Sequence, residues 1–116
     1  MNYSIDTLPE FEKELKRLSK KYKSMKQDYA RLLEELRANP FTGSDLGEGK
    51  FKVRMAIASK NRGKSHGARV LTYVYEIDEV SGQIILLTIY DKAERESLSA
   101  ARVAELFAQA KAKVGL

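Results

Sequence analysis

The chain has 116 residues, room for one ordinary domain and not two, so residues 1–116 are read as a single domain. With 43% apolar and 32% charged residues it is neither a disordered nor a fibrous sequence, and the absence of cysteine excludes disulfide scaffolds, cysteine zinc sites and thiol nucleophiles. No apolar run could span a bilayer and Met1–Asp6 lacks a signal-peptide pattern, so no membrane association and a reducing, cytoplasmic setting are expected.

The net charge of +5 is unevenly placed. Residues 50–69 carry Lys50, Lys52, Arg54, Lys60, Arg62, Lys64 and Arg69 with no acid, so the other 96 residues are slightly negative. Such a segment either meets a polyanion or is a solvated face.

In chain order, Ser4 to Leu8 alternates and reads as an edge strand. Thr7-Leu8-Pro9-Glu10 reads as a helix start, with Thr7 capping, Glu10 at capping-box spacing and Pro9 in the first turn. Leu8, Phe11, Leu15, Leu18 and Tyr22 then form one apolar stripe, opposite Lys13, Glu14, Lys16, Arg17 and Lys20. Ser24 to Gln27 repeats the capping-box spacing, and Met25, Tyr29, Leu32, Leu33 and Leu36 predict a second helix that Asn39-Pro40 ends. The very short connection predicts an antiparallel helical hairpin.

Phe41 to Gly49 holds three glycines and reads as a loop. From Lys50 the period becomes two: Phe51, Val53, Met55 and Ile57 alternate with Lys50, Lys52, Arg54 and Ala56, a strand with one apolar and one basic face. A polar, basic loop over 59–67 leads to a second strand, about Ala68 to Ile77, and a tight turn leads to a third, Gln83 to Tyr90. Ile84-Ile85-Leu86-Leu87 is apolar on both faces, as in a central strand. A last helix is expected from Ser97 or Ser99 to Val114. The expected fold is α+β: a small antiparallel sheet of an N-terminal strand and a three-strand meander, with the helical hairpin and C-terminal helix on one face. The basic residues would then point to the free face.

Metal chemistry is poorly served by one histidine, His66, and no carboxylates at ligand spacing, so neither metal nor cofactor is expected. Gly63-Lys64-Ser65 ends like a phosphate loop, but Ala58 stands where the earlier glycine belongs and a strand follows instead of a helix. What is left is a cationic strand face. Lys52 and Arg54 share it; Arg69, Tyr90 and Lys92 lie on neighbouring strands, and Lys60, Arg62 and Lys64 in the loop. Clustered lysines depress one another's pKa, arginine stabilises a developing oxyanion, and RNA brings its own 2′-hydroxyl nucleophile. Spacing alone favours the plainer account: phosphate binding without chemistry, or lysines that only guard a strand against aggregation.

Lys52-Val53-Arg54-Met55-Ala56-Ile57-Ala58 running through the 59–67 loop to Arg69-Val70, followed by Leu86-Leu87-Thr88-Ile89-Tyr90-Asp91-Lys92, resembles the RelE/ParE superfamily of toxins, and most of all its HigB-like, RelE-type branch. Leu8-Pro9-Glu10-Phe11 with Lys13, Leu15 and Lys16 also suits that family, as does the element order. The resemblance implies an mRNA interferase of a toxin–antitoxin pair. Such a toxin cuts messages in the ribosomal decoding site by 2′-hydroxyl attack, without a metal. It implies partners: the ribosome with its mRNA, and a cognate antitoxin of helix-turn-helix type, through which alone operator DNA would be met. It also implies roles for residues: Lys52 as a candidate base, Arg54 as a phosphate holder, Arg69 as a transition-state clamp, Lys92 as the basic residue ending the central strand, and Tyr90 as a base-stacking or 2′-hydroxyl partner. Lys50, Lys60, Arg62 and Lys64 would bind RNA. Two departures stand out: Ala93 where the family has arginine, and Ser97-Leu98-Ser99 where it has a tyrosine. A gyrase-poisoning, ParE-like toxin and a non-catalytic nucleic-acid-binding module are the alternatives.

Overall fold

The computed structural model describes residues 2–116. Five strands form one mixed sheet, and three helices pack on it. The elements are β1 (Asn2–Thr7), α1 (Pro9–Lys21), α2 (Met25–Ala38), β2 (Ser44–Gly47), β3 (Lys50–Met55), β4 (Ala68–Glu76), β5 (Ser81–Asp91) and α3 (Ala100–Lys113). Across the sheet the order is β1-β5-β4-β3-β2.

The meander β3–β4–β5 is antiparallel as expected, but β1 pairs parallel to β5, from Asn2 opposite Ser81 to Thr7 opposite Leu86. The sheet is therefore mixed, not antiparallel. Alternation tells which side chains face the core; it carries no information on strand direction. A second difference lies in the glycine-rich stretch expected to be a loop. It contains β2, an exposed edge strand with a register shift between Asp45 and Gly47. Gly47, Glu48 and Gly49 all have positive φ in the turn that follows, so here the glycines serve a tight hairpin.

The third difference concerns layers. Phe11 and Leu18 of α1, Met25, Leu32 and Leu36 of α2, and Val53, Met55, Val70, Ile84, Leu86 and Ile89 of the sheet form one core. A second lies on the opposite face, where Leu106 and Ala110 of α3 meet Leu71, Tyr73, Ile85 and Leu87. The helices thus cover both faces, not one. The cause is legible in β4 and β5, which are apolar on both sides and expose a second surface that must be buried.

Helix starts also depart from the capping pattern. The N-cap of α1 is Leu8, without a side-chain cap, and the Thr7 hydroxyl donates instead to Glu12 Oε1 at 3.1 Å. Ser24 precedes α2, but its hydroxyl donates to Asp28 Oδ2 at 2.7 Å and caps nothing. Ser99 does cap α3, accepting from the Arg102 N–H at 3.1 Å. No helix among the described residues is long and apolar enough to cross a membrane.

Candidate functional site: a cationic cleft at one end of the sheet

The site is built where β4 begins and β5 ends. Arg54 pairs with Arg69, and Arg69 with Tyr90, so three strands set these side chains in one row on the face that carries α3. The α3 contacts lie further along the strands, at Leu71, Tyr73, Ile85 and Leu87. A register shift in β5 sets Leu87 and Thr88 successively toward that face, and it leaves Ile89 and Asp91 facing the α1–α2 core.

Asp91 is the organiser. Its carboxylate is fully buried and accepts from Lys60 Nζ at 2.6 Å, from the Tyr22 hydroxyl and from the Ala93 N–H at 2.9 Å; Lys21 Nζ stands 3.7 Å away. Burial alone would raise its pKa, but these donors, Lys60 first, more than offset that and hold it below the ordinary aspartate value. Lys60 also donates to the His66 carbonyl at 2.9 Å, so one ammonium ties the start of the basic loop to its end and to β5. Glu94 adds an outer clamp through Arg17 and Lys21, at 2.7 and 3.2 Å. The Arg17 hydrogen bond outweighs desolvation and lowers the Glu94 pKa to about 2.

The basic loop is thereby folded, with one-turn 3-10 helices at Ala58–Lys60 and Lys64–His66. Arg69 supports it from beneath. Its guanidinium donates to the carbonyls of Lys64 at 3.0 Å, Ala68 at 3.1 Å and Ser65 at 3.3 Å. Between the loop and the end of β5 lies a cleft of about 600 Å³ lined by Lys60, Arg62, Ser65, His66, Lys92 and Ala93. No carboxylate lines it, and Lys92 and Arg62 are exposed. The Ser65 hydroxyl lies 3.0 Å from His66 Nδ1, which fixes the ring against the loop.

The sequence-derived site residues therefore fall into separate groups. Lys60, Arg62 and Lys92 share the cleft. Arg69 and Tyr90 lie beside it and are buried. Tyr90 is only 3% exposed, which leaves no ring face free for stacking on a base. Its hydroxyl is buried without a hydrogen-bond partner; burial raises its pKa, against the pull of Arg69 and Arg95. Lys52 and Arg54 line a different hollow with Glu35, Thr42, Gly43 and Lys64, and Lys64 pairs with Glu35 at 3.2 Å. Lys50 is farther off, its ammonium 4.6 Å from the Phe107 ring centroid under α3. Sequence reasoning missed Ser65 and His66 as cleft residues and Asp91 as the organiser. Asp91 had a signal: it follows Ile89 at the core-facing parity, where a carboxylate requires a buried partner.

Chemically, the cleft carries lysine and arginine side chains, with an imidazole and a hydroxyl beside them. Among the described residues no three His, Asp or Glu side chains are grouped to hold a metal ion. No protein-family model matches this chain, and no curated protein matches it.

Proposed function

We propose that the chain is the toxin of a bacterial toxin–antitoxin pair, a RelE-like mRNA interferase that cuts messages on the ribosome and so halts translation. The observation that carries this reading is the acid-free cleft of Lys60, Arg62, Ser65, His66 and Lys92, underpinned by Arg69. A cavity so lined suits a phosphodiester, and in this reading a ribose 2′-hydroxyl supplies the nucleophile. In this reading the 2′-oxygen attacks the adjacent phosphorus, the bond to the 5′-oxygen breaks, and a 2′,3′-cyclic phosphate and a 5′-hydroxyl result. Arg62 and Lys92 neutralise the charge that develops on the phosphoryl oxygens, and His66, at the cleft wall, carries the proton from the 2′-hydroxyl to the departing 5′-oxygen. Arg69 acts through the loop, since it is buried and three of its N–H donors go to the carbonyls of Lys64, Ser65 and Ala68. Lys52 and Arg54, in their own hollow, hold flanking phosphates, so Lys52 is not the base here. The reading uses no cofactor. Its partners are the ribosome and mRNA in the cytoplasm and a helix-turn-helix antitoxin, which alone would bring the complex to operator DNA.

The test is induced expression in bacteria. Wild-type protein should stop growth. Lys92→Ala and Arg62→Ala, both at exposed positions, should relieve the arrest through a rate loss of about 10²–10³-fold. Unimpeded growth with the wild-type protein would refute the toxin reading. It would favour the non-catalytic nucleic-acid-binding module, with which the internal engagement of Lys60 and Arg69 is consistent.

A further inference from the structure

The fold joins two acid-free stretches that are far apart in the sequence. Residues 15–27 hold Lys16, Arg17, Lys20, Lys21, Lys23 and Lys26 and no acid. With residues 50–69 they contain thirteen of the chain's 21 lysines and arginines. The corner between α1 and α2 sits directly on the start of the basic loop. The Ser24 N–H donates to Ser59 Oγ at 3.0 Å, and the Ser59 N–H donates back to Ser24 Oγ at 2.8 Å. Next to this seam, Lys21 and Lys60 each lie 5.4 Å from the centroid of the Tyr22 ring.

The cations at this corner differ in what they do. Arg17 and Lys21 are spent on Glu14, Glu94 and Asp91. Lys20, Lys23 and Lys26 are exposed and take part in no ion pair among the described residues. The nearest acid along α2, Asp28, is buried and occupied by Ser24, Arg31 and the Ala58 N–H. Unpaired lysines on one surface repel one another, and a chain of phosphates is the ligand that relieves the repulsion along its whole length.

We propose that Lys20, Lys23 and Lys26 form a second RNA-contact surface, continuous with the cleft, that grips the phosphate backbone of structured RNA outside the strand being cut. The proposal rests on reading the cleft as an RNA site and extends it: the cleft holds the reacting phosphate, and the corner supplies sequence-independent affinity and orientation. Backbone contacts of this kind release counterions, so they reveal themselves in the salt dependence of binding.

The experiment measures binding of an RNA hairpin of about 16 base pairs, longer than the molecule's 39 Å axis, across a salt series. The triple variant Lys20→Gln, Lys23→Gln, Lys26→Gln should bind roughly 10- to 50-fold more weakly, and its log K against log salt slope should be shallower by about 2–3. The triple Lys→Arg variant at the same positions should restore both. Lys111→Gln with Lys113→Gln, on α3 across the sheet, should change neither. Melting curves confirm that the folds match. Wild-type affinity in the triple variant, an equal loss in the α3 control, or no hairpin binding by the wild-type protein would each overturn the proposal. Cleavage is scored separately: a protein that binds through the corner but cuts nothing upholds this surface and refutes only the nuclease.

Discussion

Asp91 has no exposed surface, yet it is held in its charged form by an ammonium, a phenol and a backbone N–H. Replacing it with asparagine removes that charge and strands Lys60, whose side chain is only 14% exposed. The expected cost of Asp91→Asn is about 3 kcal/mol, or a melting point lower by roughly 10 °C. A shift under 2 °C would mean that Lys60 finds water instead. The same carboxylates set the acid response. Asp91 and Glu94 both have folded-state pKa values below their ordinary ones, the latter at about 2. The unfolded chain therefore binds more protons in acid. Their stabilisation is present above the ordinary carboxylate range and falls as the pH drops through it, continuing toward pH 2 for Glu94. Chemical denaturation at pH 7 and pH 3 should show stability falling in the wild type, and falling less in Asp91→Asn.

At the scale of elements, the turn from loop into β4 depends on Gly67. A Cβ there would lie 2.0 Å from the Met55 carbonyl oxygen of the neighbouring strand, and that backbone cannot yield cheaply. Gly67→Ala should destabilise by more than about 3 kcal/mol, whereas Gly63→Ala, at φ +73° and ψ −173° with open space around it, should cost only the backbone strain, about 1–3 kcal/mol. Equal melting points for the two would contradict this placement. The elements that periodicity could reveal are those that bury one regular face: α1, α2, β3 and the stripe of α3. The direction of β1 and the existence of β2 were hidden, because alternation is blind to direction and an exposed edge strand has no core pattern to show. The side taken by α3 was present in outline. Leu71, Tyr73, Ile85 and Leu87 demanded a cover, and no other helix could reach that face once α1 and α2 had claimed the first.

For the molecule as a whole, what matters is where charge concentrates. The sequence located the basic stretch and named Arg62 and Lys92, but parity could say only which face a residue takes. It could not say that the loop folds back over β5, that Ser65 and His66 enter the cleft, or that Lys52 and Arg54 fall outside it. Those outcomes depend on Lys60, Asp91 and Arg69 acting together across 31 positions of sequence at most. The most direct test of the nuclease reading is to add purified protein to ribosomes stalled on a defined message and to determine the new ends. Cleavage within the exposed codon, leaving a 2′,3′-cyclic phosphate and a 5′-hydroxyl and lost in Lys92→Ala, is the predicted result; a message that stays intact with the wild-type protein would contradict it.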